Sequence, residues 1–285
     1  MKVNHLLSCS LLLGASFFYS SCKKSETKVA PTTPTTDYKA LSSQAALGLY
    51  QALTGKAGGV NLGSGTTTPF SVPVKQSGPV TFDVGQCGFT TNPVSTFNTT
   101  VGDSVSTEVI HWNFTSTCSS GKTSADGYTV KAVDSIKSLS PNYSTLKVLV
   151  QNYVVQALDA TYKTVSTNGS LAYNLGQNYL HGPSYNPFGN GSVNTDGSQQ
   201  LQSFQLTGLV IDVSSGVPDI TKGTAVFNYQ LQVTNINHPY GGPIGGAQAN
   251  ITYLGNYQAK VTFLIPGGTT QSYMVNVLTG VVTPA

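Results

Sequence analysis

TAVFNYQLQV, Thr224 to Val233, decides how this chain folds. Ala225, Phe227, Tyr229, Leu231 and Val233 alternate with Val226, Asn228, Gln230 and Gln232. A period of two puts the first set on one face of a β-strand and the second on the other. The first set is apolar enough for a core, and the amides suit water. One buried and one wet face is the pattern of antiparallel sheets.

The same alternation recurs on both sides. In TEVIHWNF, Ile110, Trp112 and Phe114 share a face, with Val109 and His111 opposite. GYTVKAV, TLKVLVQNYVVQAL and LTGLVIDV follow, each bounded by Gly, Pro, Asn or Ser. At the C-terminal end, ANITYLGNYQAKVTFLIPGGTTQSYMVNV reads as three strands in meander. Gly255-Asn256 marks one hairpin, and Pro266-Gly267-Gly268 marks the next turn. STNGSLAY suggests a further hairpin at Asn168-Gly169. Strand–turn–strand spacing without intervening helices predicts an antiparallel β-sandwich or an open, barrel-like curved sheet.

One short helix is expected before the strands, over about residues 37–54. Leu41, Ala45, Leu49 and Leu53 recur every four residues and make one apolar stripe. Thr36 or Asp37 can cap its start, and Gly55 follows its end. Gly48 opposes it by about 1 kcal/mol relative to Ala. The whole of residues 37–285 reads as a single mostly β domain.

The N-terminus has a different character. Lys2 precedes the uncharged run LLSCSLLLGASFFY, Leu6 to Tyr19. Fourteen helical residues rise only ~21 Å, short of the ~30 Å hydrocarbon core of a bilayer. That length suits the apolar region of an export signal over residues 1–21. The run ends in FYSSC, with small Ser20 and Ser21 before Cys22, and it resembles the lipobox of bacterial lipoproteins. Tyr19 stands where that motif usually has Leu. The resemblance implies cleavage before Cys22, a diacylglycerol on its sulfur and an acylated amine. Residues 22–36, rich in Thr, Pro and Lys, then read as a flexible tether. Together with segments such as ITYLGN and YMVNVLTG, these features resemble uncharacterised outer-membrane lipoproteins of Bacteroidota. The resemblance implies a lipid anchor at the outer membrane, without resolving periplasmic face from cell surface. It implies no activity.

Composition narrows the function classes. Charged residues make up 9% of the chain; the basic ones are fourteen Lys with no Arg, and the net charge is +3. Nucleic-acid readers lean on Arg for phosphate and guanine, so a nucleic-acid partner is not expected. There is no Gly-x-Ser-x-Gly elbow, P-loop, dinucleotide fingerprint or HExxH helix. Glu occurs only at Glu26 and Glu108, which leaves few carboxylates for paired acid–base work. No catalytic residue, metal site or cofactor is assigned, and the chain does not read as an enzyme.

Cys87 and Cys118 remain after the tether. In an oxidising compartment, with each following a β-rich stretch, they are expected to form a disulfide. Two segments read as long irregular loops, Gly176–Ser198 and Asn235–Gln248. They carry Tyr179, His181, Tyr185 and Phe188, and His238 and Tyr240, among Asn, Gln and Gly. Aromatic faces beside amide groups suit sugar rings, so these six residues are the candidate ligand-binding set. Their alternative role is to fold back and cover the core. Asp103-Ser104-Val105 and Asp134-Ser135-Ile136 resemble the short O-glycosylation acceptor pattern of Bacteroidota. The function expected is a non-catalytic module at the envelope, held by its lipid, that binds a glycan or small ligand. The alternatives are an interaction subunit of an envelope complex and a carrier of an apolar ligand.

Overall fold

The computed structural model describes residues 36–55, 61–62, 86–141, 143–179, 197–235 and 238–285. Residues 1–35 lie outside them, and with them Cys22, the expected export signal and all of the expected tether but Thr36. One helix, α1 (Tyr38–Leu53), precedes twelve strands. These are β1 (Thr90–Thr91), β2 (Val94–Val101), β3 (Ser104–Thr117), β4 (Gly127–Leu139), β5 (Tyr143–Ala157) and β6 (Thr164–Tyr179). The rest are β7 (Gly197–Asp212), β8 (Asp219–Asn235), β9 (His238–Gly255), β10 (Gln258–Ile265), β11 (Thr269–Asn276) and β12 (Val282–Pro284).

From β3 to β12 each strand pairs antiparallel with the next, and β1 and β2 both pair with β3. The result is one open sheet, not closed into a barrel. Of the two architectures expected, the curved open sheet is found and the two-layer sandwich is not. Alternation explains the layering. Ile110, Trp112, Phe114, Ala225 and Phe227 are all buried, while His111 and Asn228 are exposed.

Helix α1 lies across the strands on that buried face. Tyr38 at its start packs tilted against Phe263 of β10, with ring centroids 5.0 Å apart. Further along, the Tyr253 hydroxyl of β9 donates to the Ala46 carbonyl (3.4 Å), and the Tyr50 hydroxyl donates to the Pro218 carbonyl beyond β7 (2.8 Å). At its end, Gln151 Nε2 of β5 donates to the Ala52 carbonyl (3.4 Å). Sixteen residues rise ~24 Å, and five steps between strands at ~4.8 Å come to the same length. The expected stripe of Leu41, Ala45, Leu49 and Leu53 is buried, and Ser42, Ala46, Tyr50 and Ala52 are buried beside it. A second buried row means the sheet curls up along the helix flank.

The curl has a local cause. The pairing slips between Thr167 and Gly169 in β6, between Thr207 and Ile211 in β7, and between Gln258 and Ala259 in β10. Such bulges bend a strand and raise its twist. Asn168-Gly169, expected as a hairpin, is one of them. It lies inside the continuous strand β6, and Asn168 Oδ1 accepts a hydrogen bond from the Gly208 amide (2.7 Å). The turn at Pro266-Gly267-Gly268 occurs where the sequence puts it, and the hairpin expected at Gly255-Asn256 turns one residue later, at Asn256-Tyr257, with Gly255 paired to Gln258.

The second expected loop is also corrected. From His238 onward Asn235–Gln248 is strand, the first half of β9. It contains Pro239 and Pro243 because β10 pairs with β9 only from Ala249. Residues 238–248 therefore have a neighbour on one side, and proline is tolerated on such an edge. Both ends of the first expected loop are strand, since β6 runs to Tyr179 and β7 begins at Gly197; residues 180–196 lie outside the described residues. Among the described residues no helix is long and apolar enough to cross a membrane.

Candidate functional site

Cys87 and Cys118 are disulfide-bonded, with Cα atoms 5.5 Å apart. The bond joins the segment before β1 to the end of β3. Around it, the Gly88 amide donates to the Ser116 carbonyl and the Ser116 amide to the Phe89 carbonyl, each at 2.9 Å. Just beyond, the Asp126 carboxylate meets Lys122 Nζ at 2.7 Å and accepts the Ser119 amide at 2.8 Å. Burial pushes the Asp126 pKa up, but the Lys122 ammonium and the bonds from Gln156 and Ser119 outweigh it and hold the carboxyl well below the usual range. This end of the sheet is stapled and saltbridged, and its groups have structural work.

At the opposite end, the chain leaves β6 at Tyr179 and enters β7 at Gly197, and leaves β8 at Asn235 and enters β9 at His238. Because β7 pairs with β8, with Gly197 opposite Thr234, both connections start from one rim. Tyr179, His238 and Tyr240 lie on strands at that rim, not in loops. His181, Tyr185 and Phe188 lie outside the described residues. The candidate aromatic set is thus divided between strand ends and the undescribed connection.

The helix face on that side carries two further buried carboxylates. Glu108 and Asp134 are both buried there, on adjacent strands one register step apart, since Asp134 pairs with Ile110. On the same face Lys147 Nζ stands over the Tyr173 ring, 5.7 Å from its centroid. Burial pushes the Tyr173 hydroxyl up to about 12, and pushes Tyr128, Tyr153 and Tyr253 above the ordinary tyrosine value. Those hydroxyls stay neutral at physiological pH. Among the described residues no group of three or more His, Cys, Asp and Glu could hold a metal.

A concavity lies on the other face, turned away from the helix. It is an open trough of ≈ 860 Å³ crossing β5 to β9. Register makes its banks: Val150, Ala172, Ser203 and Asn228 pair in one row, and Val148, Asn174, Leu201, Gln230 and Gly246 in the next. Tyr173, Gln202 and Tyr229 lie between the rows, with their backbone as the floor. No lining residue is charged. Small Ala172, Ser203 and Gly246 interrupt the larger side chains, which is why a pleated surface is hollow here.

No protein-family model matches the chain, and neither a curated protein nor a solved structure matches it.

Sequence reasoning missed the trough. Its signal was the uncharged alternate positions of β6 to β8, visible only as a wet face. The two acceptor-like serines differ in setting. Ser104 follows the exposed turn at Gly102-Asp103, whereas Ser135 is in mid-sheet, between Val109 and Val148, with the preceding Asp134 buried on the far face.

Proposed function

We propose that the protein is a lipid-anchored module of the cell envelope that binds a ligand without catalysis, in the trough on the helix-free face of its sheet. The observation that carries this reading is the trough itself, an open site walled by uncharged residues. Acid–base and nucleophilic chemistry draw on charged or titratable groups and activated hydroxyls. The wall has no charged residue, Tyr173 and Tyr229 turn to the helix face, and no His or carboxylate stands beside Ser203 in the lining. Binding needs only shape and a few placed polar groups. The FYSSC stretch before the Thr/Pro-rich tether supports anchoring through Cys22 at the outer membrane.

The carrier reading has less support. The space between helix and sheet is filled by Leu49, Leu53, Tyr153 and Phe227, each at most 1% exposed. The interaction-subunit reading is favoured by one observation. Val133 and Val150 pair on the helix-free face of β4 and β5 and are 37% and 40% exposed, an apolar spot that a protein partner would cover.

Two experiments test the proposal. Metabolic labelling with an alkynyl palmitate should mark the parent and not Cys22→Ala; equal labelling overturns the anchor. A thermal-shift screen of neutral and charged envelope components should find one that raises the Tm of the parent and not of Ser203→Trp, whose side chain fills the trough. No shift with any component, or a shift that persists in Ser203→Trp, overturns binding at this site.

A further inference from the structure

Building on that reading, we infer that the trough takes a neutral polysaccharide, lying across the strands. Charge is the first argument. On the helix-free face, the residues of β6, β7 and β8 that line the trough are Ala172, Asn174, Leu201, Ser203, Asn228 and Gln230, none of them charged. A lining without charge has no group to neutralise an anionic chain and leaves no desolvated ion opposite a neutral one. The nearest cations on this face, Lys131 and Lys137 of β4, stand beyond the Val148–Val150 end.

Polar chemistry is the second argument. An amide side chain offers two donors and an acceptor on one planar group, and a sugar hydroxyl offers both functions. Asn228 and Gln230 stand on opposite banks, and among the described residues neither side chain makes a hydrogen bond within the protein. Asn174 is half committed, its Oδ1 accepting from Gln199 Nε2 at 3.2 Å. Val148 and Val150 at one end of the trough offer apolar surface for the C–H faces of a ring.

Shape is the third. Five strands at ~4.8 Å spacing make a trough ~19 Å long, open at both flanks. It suits an extended chain of several rings passing through, rather than an enclosed small molecule. A peptide adding to the sheet would pair along a free strand edge, here residues 238–248 of β9, whereas the trough runs from that edge across the faces of β8, β7, β6 and β5.

The test is affinity electrophoresis of the full-length chain in native gels containing dextran, xylan or a soluble β-glucan, with polygalacturonate as the acidic control. The expected result is retardation by at least one neutral polymer and none by polygalacturonate. In the double variant Asn228→Ala/Gln230→Ala, affinity for that polymer should fall at least about tenfold, with thermal unfolding unchanged. Retardation by the acidic polymer alone, by no neutral polymer, or equally in parent and variant would overturn the inference. A ligand of another class that stabilises the parent and not Ser203→Trp would overturn it too, while leaving the binding module itself standing.

Discussion

Replacing both Cys87 and Cys118 by serine removes a crosslink with a sequence separation of 31 residues. In the chain-entropy relation, opening such a loop returns ~12 cal/mol/K to the unfolded chain, about 3.7 kcal/mol at 25 °C. The folded state should change little. Cys87 is exposed, and the Gly88–Ser116 and Ser116–Phe89 backbone bonds still hold the segment on β3. A domain of about 250 residues unfolds with an entropy near 0.5 kcal/mol/K, so the expected fall in Tm is about 7 °C. Differential scanning calorimetry of the oxidised parent and the double-serine variant measures it. Peptide mapping without reductant confirms the crosslink in the parent. A fall of less than about 2 °C would mean that the loop is already restrained when unfolded. Loss of cooperative melting would mean that the bond holds the native β1–β3 region together. Either result refutes the reasoning.

Three further substitutions probe the frame. Gly48→Ala should stabilise by about 1 kcal/mol in urea unfolding, because an added Cβ meets nothing within 4 Å and the position is mid-helix. Gly223→Ala should destabilise by at least ~2 kcal/mol in the same assay, because φ is +110° and the Cβ would strike the Gly208 and Leu209 backbone. Asp126→Asn should cost roughly 1–2 kcal/mol at pH 7, by loss of charge-assisted bonds. The folded pKa of Asp126 is depressed, so its contribution is full above the ordinary value of 3.8 and fades as pH falls toward the folded one. Melting curves of parent and variant should therefore converge in strong acid.

Much of the scaffold was legible because alternation and helical periodicity are local signals. TAVFNYQLQV and TEVIHWNF put their apolar residues on the helix side, and the Leu41–Leu53 stripe is buried as spaced. Two features were not legible for a shared reason. Asn168-Gly169 can turn a hairpin or bulge a strand, and the choice was made by Gly208, forty residues away. Pro239 and Pro243 read as loop because nothing local shows that β10 leaves that part of β9 unpaired on one side. The trough was hidden in the same way. Val150, Ala172, Ser203 and Asn228 are far apart in sequence and become one bank only through register across four strands. Aromatic residues do not mark it, since Tyr173 and Tyr229 beneath it turn toward the helix face.

The most direct measurement is isothermal titration of the parent and of Ser203→Trp with whichever neutral oligosaccharide retards the parent. Saturable binding to the parent, absent in a Ser203→Trp protein that melts at the parental temperature, is the expected result. Equal heats from both proteins would contradict a ligand site on the helix-free face.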